Sequence, residues 1–252
     1  MITPTHLYLD LLAKSLTDTL YTEEPDHDDE NPTRFVMAFA RHYMRGRAVT
    51  MLPRVRLDNI RHCVQALIDD GIPGDVIETG VWRGGGSIFL RGCLEALSGG
   101  ERVSWVADSF EGLPEPNPAH AREYEFYHSR MMQTQYAKMA AGEEEVRLNF
   151  QAYDLLSDRV RFLVGWFKDT LPTAPIDSLS LMRLDGDYYD STMDALRALY
   201  PKLSPGGFVI IDDYGEELWT DCRQAVEDFR SEHAIADPII KVDSKCVYWR
   251  KT

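Results

Sequence analysis

The sequence has no apolar stretch approaching the roughly 20 residues that a membrane span requires, so a membrane-embedded role is not expected. Nor does it carry an excess of basic residues. The 27 Lys and Arg stand against 41 Asp and Glu, a formal charge of −14. Non-specific nucleic-acid binding depends on basic surface, and this balance argues against it. The opening residues Met1-Ile2-Thr3-Pro4-Thr5-His6 lack the basic region and apolar core of a signal peptide, and a cytoplasmic location is expected. Cysteine is sparse: Cys63, Cys93, Cys222 and Cys246 show no C-x-x-C spacing, and each sits in a periodic apolar pattern. Four buried free thiols in a reducing compartment are expected, with a disulfide pair as the alternative. The histidines His6, His27, His42, His62, His120, His128 and His233 are isolated and none has metal-ligand spacing. Only His128 is kept as a candidate catalytic or substrate contact.

What is present fits one α/β domain with appendages: 252 residues, 44% hydrophobic and 27% charged. Leu9, Leu12, Leu16 and Leu20 recur at helical spacing. An acidic, turn-rich run from Glu23 through Asp28, Asp29 and Glu30 to Asn31-Pro32 reads as a solvated loop or a mobile lid. Phe35 to Met44 is aromatic and Met-rich. Leu57, Ile60, Val64, Leu67 and Ile68 mark a second amphipathic helix, which stops at Asp70-Gly71-Ile72-Pro73-Gly74.

Strand and helix patterns then alternate. Strands are expected at Val76–Glu78, Val103–Ala107, Val160–Val164, Ser180–Leu184 and Phe208–Ile211, and helices at Ser87–Leu97, Ser191–Tyr200 and Asp221–His233. Residues 115–150, with Tyr124, Tyr127, Met131, Met132 and Tyr136, read as a helical insertion after strand two. Ile239–Val242 and Cys246–Trp249 read as a closing hairpin. The alternation implies an α/β fold with a doubly wound, Rossmann-like, mostly parallel sheet. A C-terminal antiparallel hairpin, a helical N-terminal region and lid over 1–70, and a domain over 71–252 complete the expected organisation.

Four of these strands end in carboxylates, at the sheet edge where ligands bind in open α/β folds. The first runs through Glu78-Thr79-Gly80-Val81-Trp82-Arg83-Gly84-Gly85-Gly86 into a helix, whose N-terminus supplies unpaired N–H donors. Trp82 stands where a dinucleotide fingerprint needs its second glycine, which disfavours an NAD-dependent dehydrogenase. Glu78 would repel a phosphate and suits a cationic ligand such as the amino-acid part of S-adenosylmethionine. Thr79, Gly80, Arg83, Gly84, Gly85 and Ser87 are the accompanying candidates. Asp108 ends strand two, where an acid can accept both ribose hydroxyls; capping the loop Asp108-Ser109-Phe110-Glu111-Gly112 is the alternative. Ser109 joins it as a candidate. Trp166 and Phe167 could flank an adenine or fill core.

The other two ends, Asp185 and Asp212-Asp213, offer only oxygen ligands, which select Mg²⁺ or Ca²⁺. A chelated diol would have the pKa of one hydroxyl lowered, and Asp187 could act as general base. The alternative is that such a pair caps a helix or salt-bridges to Arg183.

Together these motifs resemble the macrocin O-methyltransferase family, whose members use S-adenosylmethionine and Mg²⁺ to methylate deoxysugars of macrolide and aminocoumarin antibiotics. The resemblance is carried by Leu7-Tyr8-Leu9-Asp10-Leu11-Leu12, by Glu78 through Gly85, by Ala107-Asp108-Ser109-Phe110-Glu111-Gly112-Leu113-Pro114 and by Gly165-Trp166-Phe167-Lys168-Asp169-Thr170-Leu171-Pro172. Leu184-Asp185-Gly186-Asp187 and Leu203-Ser204-Pro205-Gly206-Gly207-Phe208 through Asp212-Asp213-Tyr214 complete it. It implies a class I methyltransferase fold, metal ligation by Asp185, Asp212 and Asp213, and Asp187 as base. It also implies that Thr50-Met51 close over the cofactor, that the acceptor is a small-molecule glycoside, and that the enzyme is a homodimer or higher homo-oligomer. The stretch Glu23–Arg47 and the insertion 115–148 depart from the family pattern and leave the acceptor open. A metal-dependent catechol or phenol O-methyltransferase and a non-catalytic S-adenosylmethionine-binding protein are the competing readings.

Overall fold

A computed structural model describes residues 2–23, 25, 38, 40–44, 46–130, 132–136, 139–216 and 220–252. The acidic run Asp28 to Pro32, Phe35 and Met131 lie outside the described residues. Strands β1 (Asp75–Thr79), β2 (Ser104–Asp108), β3 (Val160–Val164), β4 (Leu179–Leu184), β5 (Leu203–Ile211), β6 (Ile240–Lys241) and β7 (Val247–Arg250) form one sheet. Its order is β3-β2-β1-β4-β5-β7-β6. The first five are parallel, and the β6–β7 hairpin adds on antiparallel to β5. The doubly wound sheet and its terminal hairpin are thus as the sequence pattern implied. Strand order reverses between β1 and β2 on one side and β4 on the other, which opens a crevice at their C-terminal ends.

Alternation along the strands sends side chains to two faces. On one face Val76, Val106, Leu181, Phe208 and Ile210 pack against three helices: α1 (Pro4–Leu16), α2 (Arg54–Asp69) and α3 (Gly85–Ala96). On the other, Ile77, Ala107, Met182, Leu184, Val209 and Ile211 meet Met193 and Leu196 of α7 (Tyr189–Leu199) and Val226 and Phe229 of α8 (Cys222–Glu232). The N-terminal helices therefore share the sheet's core. Burying a leucine stabilises by about 1.5–3 kcal/mol, and α1 buries Leu9, Leu12 and Leu16. Leu20 does not join them. Asp18 takes a left-handed φ of 56° just past the helix, the chain turns away, and Leu20 is 44% exposed.

Within the insertion lie α4 (Ala121–Tyr127) and α5 (Glu143–Ala152), and α6 (Phe167–Thr170) follows β3. All four cysteines are buried and free. Among the described residues no helix is long and apolar enough to cross a membrane.

Candidate active site

The strand ends of β1, β2, β4 and β5 enclose a cavity of about 690 Å³. Pairing of β1 with β4 sets Glu78 opposite Arg183 and Thr79 opposite Leu184, so Gly80 runs beside Asp185. A Cβ at Gly80, whose φ is 79°, would overlap the Asp185 carbonyl oxygen. Only glycine fits there.

The turn beyond it is held from outside. Trp82 adopts φ 48°, a left-handed conformation costing a non-glycine residue about 1–2 kcal/mol. It packs with Tyr43, Ala48 and Ala141, and the Arg83 guanidinium lies 4.3 Å from its ring centroid. Arg83 also donates to the carbonyls of Tyr43 and Ala48 at 3.2 and 3.0 Å. Arg83, a cofactor candidate, is thus tied to Tyr43 and Ala48 and is not among the residues that line the cavity. Gly84 gives room to Val146 and Gly85 to Val49 and Thr50. Ser87 donates to Glu78, and Thr79 is buried beneath the turn. These residues shape the pocket from behind its wall. Thr50, Met51, Glu78, Gly80, Asp108, Ser109, Trp166 and Phe167, by contrast, line the cavity.

Asp108 does the capping work and faces the cavity as well. One carboxylate oxygen accepts from the Val81 amide at 2.7 Å, the other from the Phe110 amide at 2.8 Å. Burial raises its pKa, and these amides oppose the rise.

Glu78 and the second acidic cluster meet through Arg183. Its guanidinium donates to Glu78 Oε1 at 2.6 Å, to Asp185 Oδ2 at 3.0 Å and to Asp212 Oδ1. Arg56 of α2 reaches the other oxygen of Asp212 at 2.6 Å and Asp243 of the hairpin at 2.6 Å. Both arginines are nearly fully buried. Burial pushes Glu78 up to about 7 although Arg183 draws it down.

Asp212, one of the expected metal ligands, has an arginine on each of its oxygens. Among the described residues the carboxylates that converge are Asp185, Asp187 and Asp213, with one oxygen from each within 4.8 Å of the others; Asp185 keeps its Oδ2 on Arg183. Asp213 Oδ2 is buried and has no hydrogen-bond partner among the described residues. Burial followed by the charge of Asp212 raises Asp185 to about 6, with Arg183 opposing. Asp187 is raised well above the usual carboxylate range by burial, then by Asp185, Asp212, Glu216 and Glu123. Asp213 is raised likewise by burial and by Asp187, Asp185 and Asp212. Three mutually repelling, oxygen-only donors with an orphaned lone pair fit a hard divalent cation.

Several contributors lie outside the motifs. Glu123 of the insertion, 1% exposed, accepts from the Tyr189 and Asp221 amides at 2.8 and 2.7 Å. It thereby ties the starts of α7 and α8 to α4. Arg56 had a readable signal: with Ile60, Cys63 and Leu67 it falls on the buried stripe of α2. Glu123 had none. His128 pairs with Glu115 at 3.2 Å and packs on Tyr124 and Tyr127; it is not among the cavity-lining residues.

The family model described as macrocin O-methyltransferase (TylF) matches residues 44–251. The chain is 48% identical over 250 residues to 8-demethyl-8-(2,3-dimethoxy-α-L-rhamnosyl)-tetracenomycin-C 4'-O-methyltransferase of Streptomyces olivaceus, covering 98% of this chain and 93% of that one. It is 46% identical over 251 residues to demethyldecarbamoylnovobiocin O-methyltransferase of Streptomyces niveus, covering 98% and 94%. The solved structure of the O-methyltransferase NovP superposes with a TM-score of 0.84 at 46% identity, over 98% of this chain and 99% of that one. Calicheamicin methyltransferase CalS11 shares the fold, at TM-score 0.61 and 17% identity over 99% and 94% of the two chains.

Proposed function

The chain belongs to the macrocin O-methyltransferase family, and on that premise we propose that it transfers a methyl group from S-adenosylmethionine to a deoxysugar hydroxyl on a glycosylated natural product. The convergence of Asp185, Asp187 and Asp213 in the cavity that Asp108 and the glycine turn also line carries this reading. Asp108 and Ser109 would face the cofactor ribose, Trp166 and Phe167 its adenine, and Thr50 and Met51 its outer side. Glu78 acts on its amino-acid end from the wall, already bound by Arg183 and Ser87.

Asp185 and Asp213 would hold Mg²⁺, and Asp187 is the base. When bound, the cation supplies Lewis acidity that lowers the pKa of a coordinated hydroxyl. Asp187 takes the hydroxyl proton at its carboxylate, a role suited to an acid made more basic than a free carboxylate by burial and like charges. Arg56 and Arg183 fix Asp212, and through it the β5 end, so that Asp213 faces the pocket. Closing the cavity orients the reacting groups, from which much of the rate of a displacement derives.

A helical N-terminal region and lid over 1–70 and a methyltransferase domain over 71–252 belong to this reading, with the insertion 115–150 shaping the acceptor side. A homodimer or higher homo-oligomer in the cytoplasm is the expected state; four buried free thiols fit a reducing compartment. The reading is tested by incubating the enzyme with S-adenosylmethionine, Mg²⁺ and a panel of rhamnosides and simple catechols. Methylation of glycosides, lost with excess chelator, is expected. Turnover of catechols alone, or none in the panel, would refute it.

A further inference from the structure

The carboxylate end of the cavity is walled by hydrogen-bond acceptors. Asp187, Asp213, Glu123 and Glu216 line it, and ionised carboxylates offer a ligand no donor. Three of the four basic residues that line the cavity are engaged with carboxylates. Arg56 holds Asp212 and Asp243, Arg183 holds Glu78, Asp185 and Asp212, and Lys245 pairs with Glu216 at 2.6 Å. A sugar, however, presents ether and hydroxyl oxygens that seek donors.

Tyr188 offers one. It follows Asp187 directly and caps the start of α7. The residue is among those that line the cavity and is 1% exposed, and its buried hydroxyl has no hydrogen-bond partner among the described residues. The rest of the residue is satisfied without that oxygen. The Tyr188 amide donates to the Gly186 carbonyl at 2.6 Å, and its own carbonyl accepts from Thr192 at 2.9 Å. Phenylalanine would keep every one of these contacts, so folding makes no evident use of the hydroxyl. A buried donor without a partner is costly and calls for an explanation.

We propose that Tyr188 is an acceptor-binding residue whose hydroxyl donates a hydrogen bond to an oxygen of the sugar being methylated. The inference rests on the glycoside reading above and names a side chain that selects within it. A site built to bond an oxygen discriminates strongly against an analogue lacking it, because the donor is then left unpaired.

The test compares the full-length wild type and Tyr188→Phe, using p-nitrophenyl α-L-rhamnopyranoside and its monodeoxy analogues as acceptors. The variant should raise acceptor KM about five- to tenfold, the effect of one lost hydrogen bond, with kcat nearly unchanged. Its affinity for S-adenosylhomocysteine should match wild type, and its ligand-free melting temperature should be equal or higher. One monodeoxy analogue should lose as much with wild type as the parent loses with the variant, and lose nothing further when both changes are combined. An unchanged KM overturns the assignment of Tyr188 alone. A lowered melting temperature with equal losses for every analogue assigns the hydroxyl a structural role and also overturns it. Failure of wild type to methylate any of these rhamnosides overturns the glycoside reading, and the proposal with it.

Discussion

Arg183 and Glu78 face each other across paired strands, with Nη1 of the arginine 2.6 Å from Oε1 of the acid. Both are almost completely buried. The same guanidinium holds Asp185 and Asp212, so one side chain forms the wall between the cofactor turn and the acidic cluster. Removing one partner of a buried pair leaves an uncompensated charge and costs about 3–5 kcal/mol. Arg183→Met removes a cation from three carboxylates at once, of which only Asp212 keeps a second arginine, and is expected to cost at least that much in urea unfolding. A loss below about 1 kcal/mol, the range of an exposed pair, would show that the network does not hold the site together.

Glu78 also gives the protein a pH dependence with a definite sign. Its folded pKa of about 7 lies above the roughly 4.3 of an unfolded glutamate. The folded state therefore holds a proton that the unfolded state has released, and stability falls as pH rises between those values. The contribution, on the order of 3 kcal/mol, is present near pH 4 and gone above pH 7. Chelator-treated wild type should lose more urea resistance between pH 5 and 7.5 than Glu78→Gln does. Parallel curves for the two proteins would remove Glu78 from the account.

The sheet was readable because buried parallel strands are short apolar runs bounded by breakers, and Val160–Val164 falls where its pattern put it. Strand β5 begins earlier than its apolar run, at Leu203. Leu203 pairs with Leu179 and Phe208 with Leu181, so Ser204-Pro205-Gly206-Gly207 is an irregularity inside the strand, where Pro and Gly read as a break. The acidic strand ends were legible for the same reason as the strands. Their partners were not. Periodicity places Arg56 on a buried face, but nothing local says that it meets Asp212, 156 positions on. The clustered carboxylates needed positive charge, and two arginines supply part of what a cation alone was expected to provide.

The remaining part belongs to Asp185, Asp187 and Asp213. Their mutual repulsion destabilises the ligand-free fold, so Asp213→Asn is expected to melt higher than wild type without metal. With millimolar Mg²⁺ the order should reverse, because a ligand that binds only the folded state stabilises it by RT ln(1 + [L]/Kd). Thermal melts of both proteins with chelator and with Mg²⁺ check this. Equal Mg²⁺ shifts in the two would move the cation elsewhere.

Asp187 separates proton transfer from binding. It lines the cavity with a raised pKa, and its backbone is held at φ 58°, a left-handed conformation that costs aspartate about 1–3 kcal/mol and is retained where function needs it. Asp187→Asn keeps the shape and the backbone while removing the basic oxygen. General-base catalysis contributes about 10²–10⁴-fold, so kcat is expected to fall within that range. S-adenosylhomocysteine affinity, measured by calorimetry, should stay near wild type, because the ribose and adenine contacts proposed for Asp108, Trp166 and Phe167 are untouched. Adding Asp187→Gly asks the second question. If the left-handed backbone is the reason this position is special, glycine restores stability without restoring turnover. Undiminished kcat in Asp187→Asn would hand the proton to another carboxylate of the cluster.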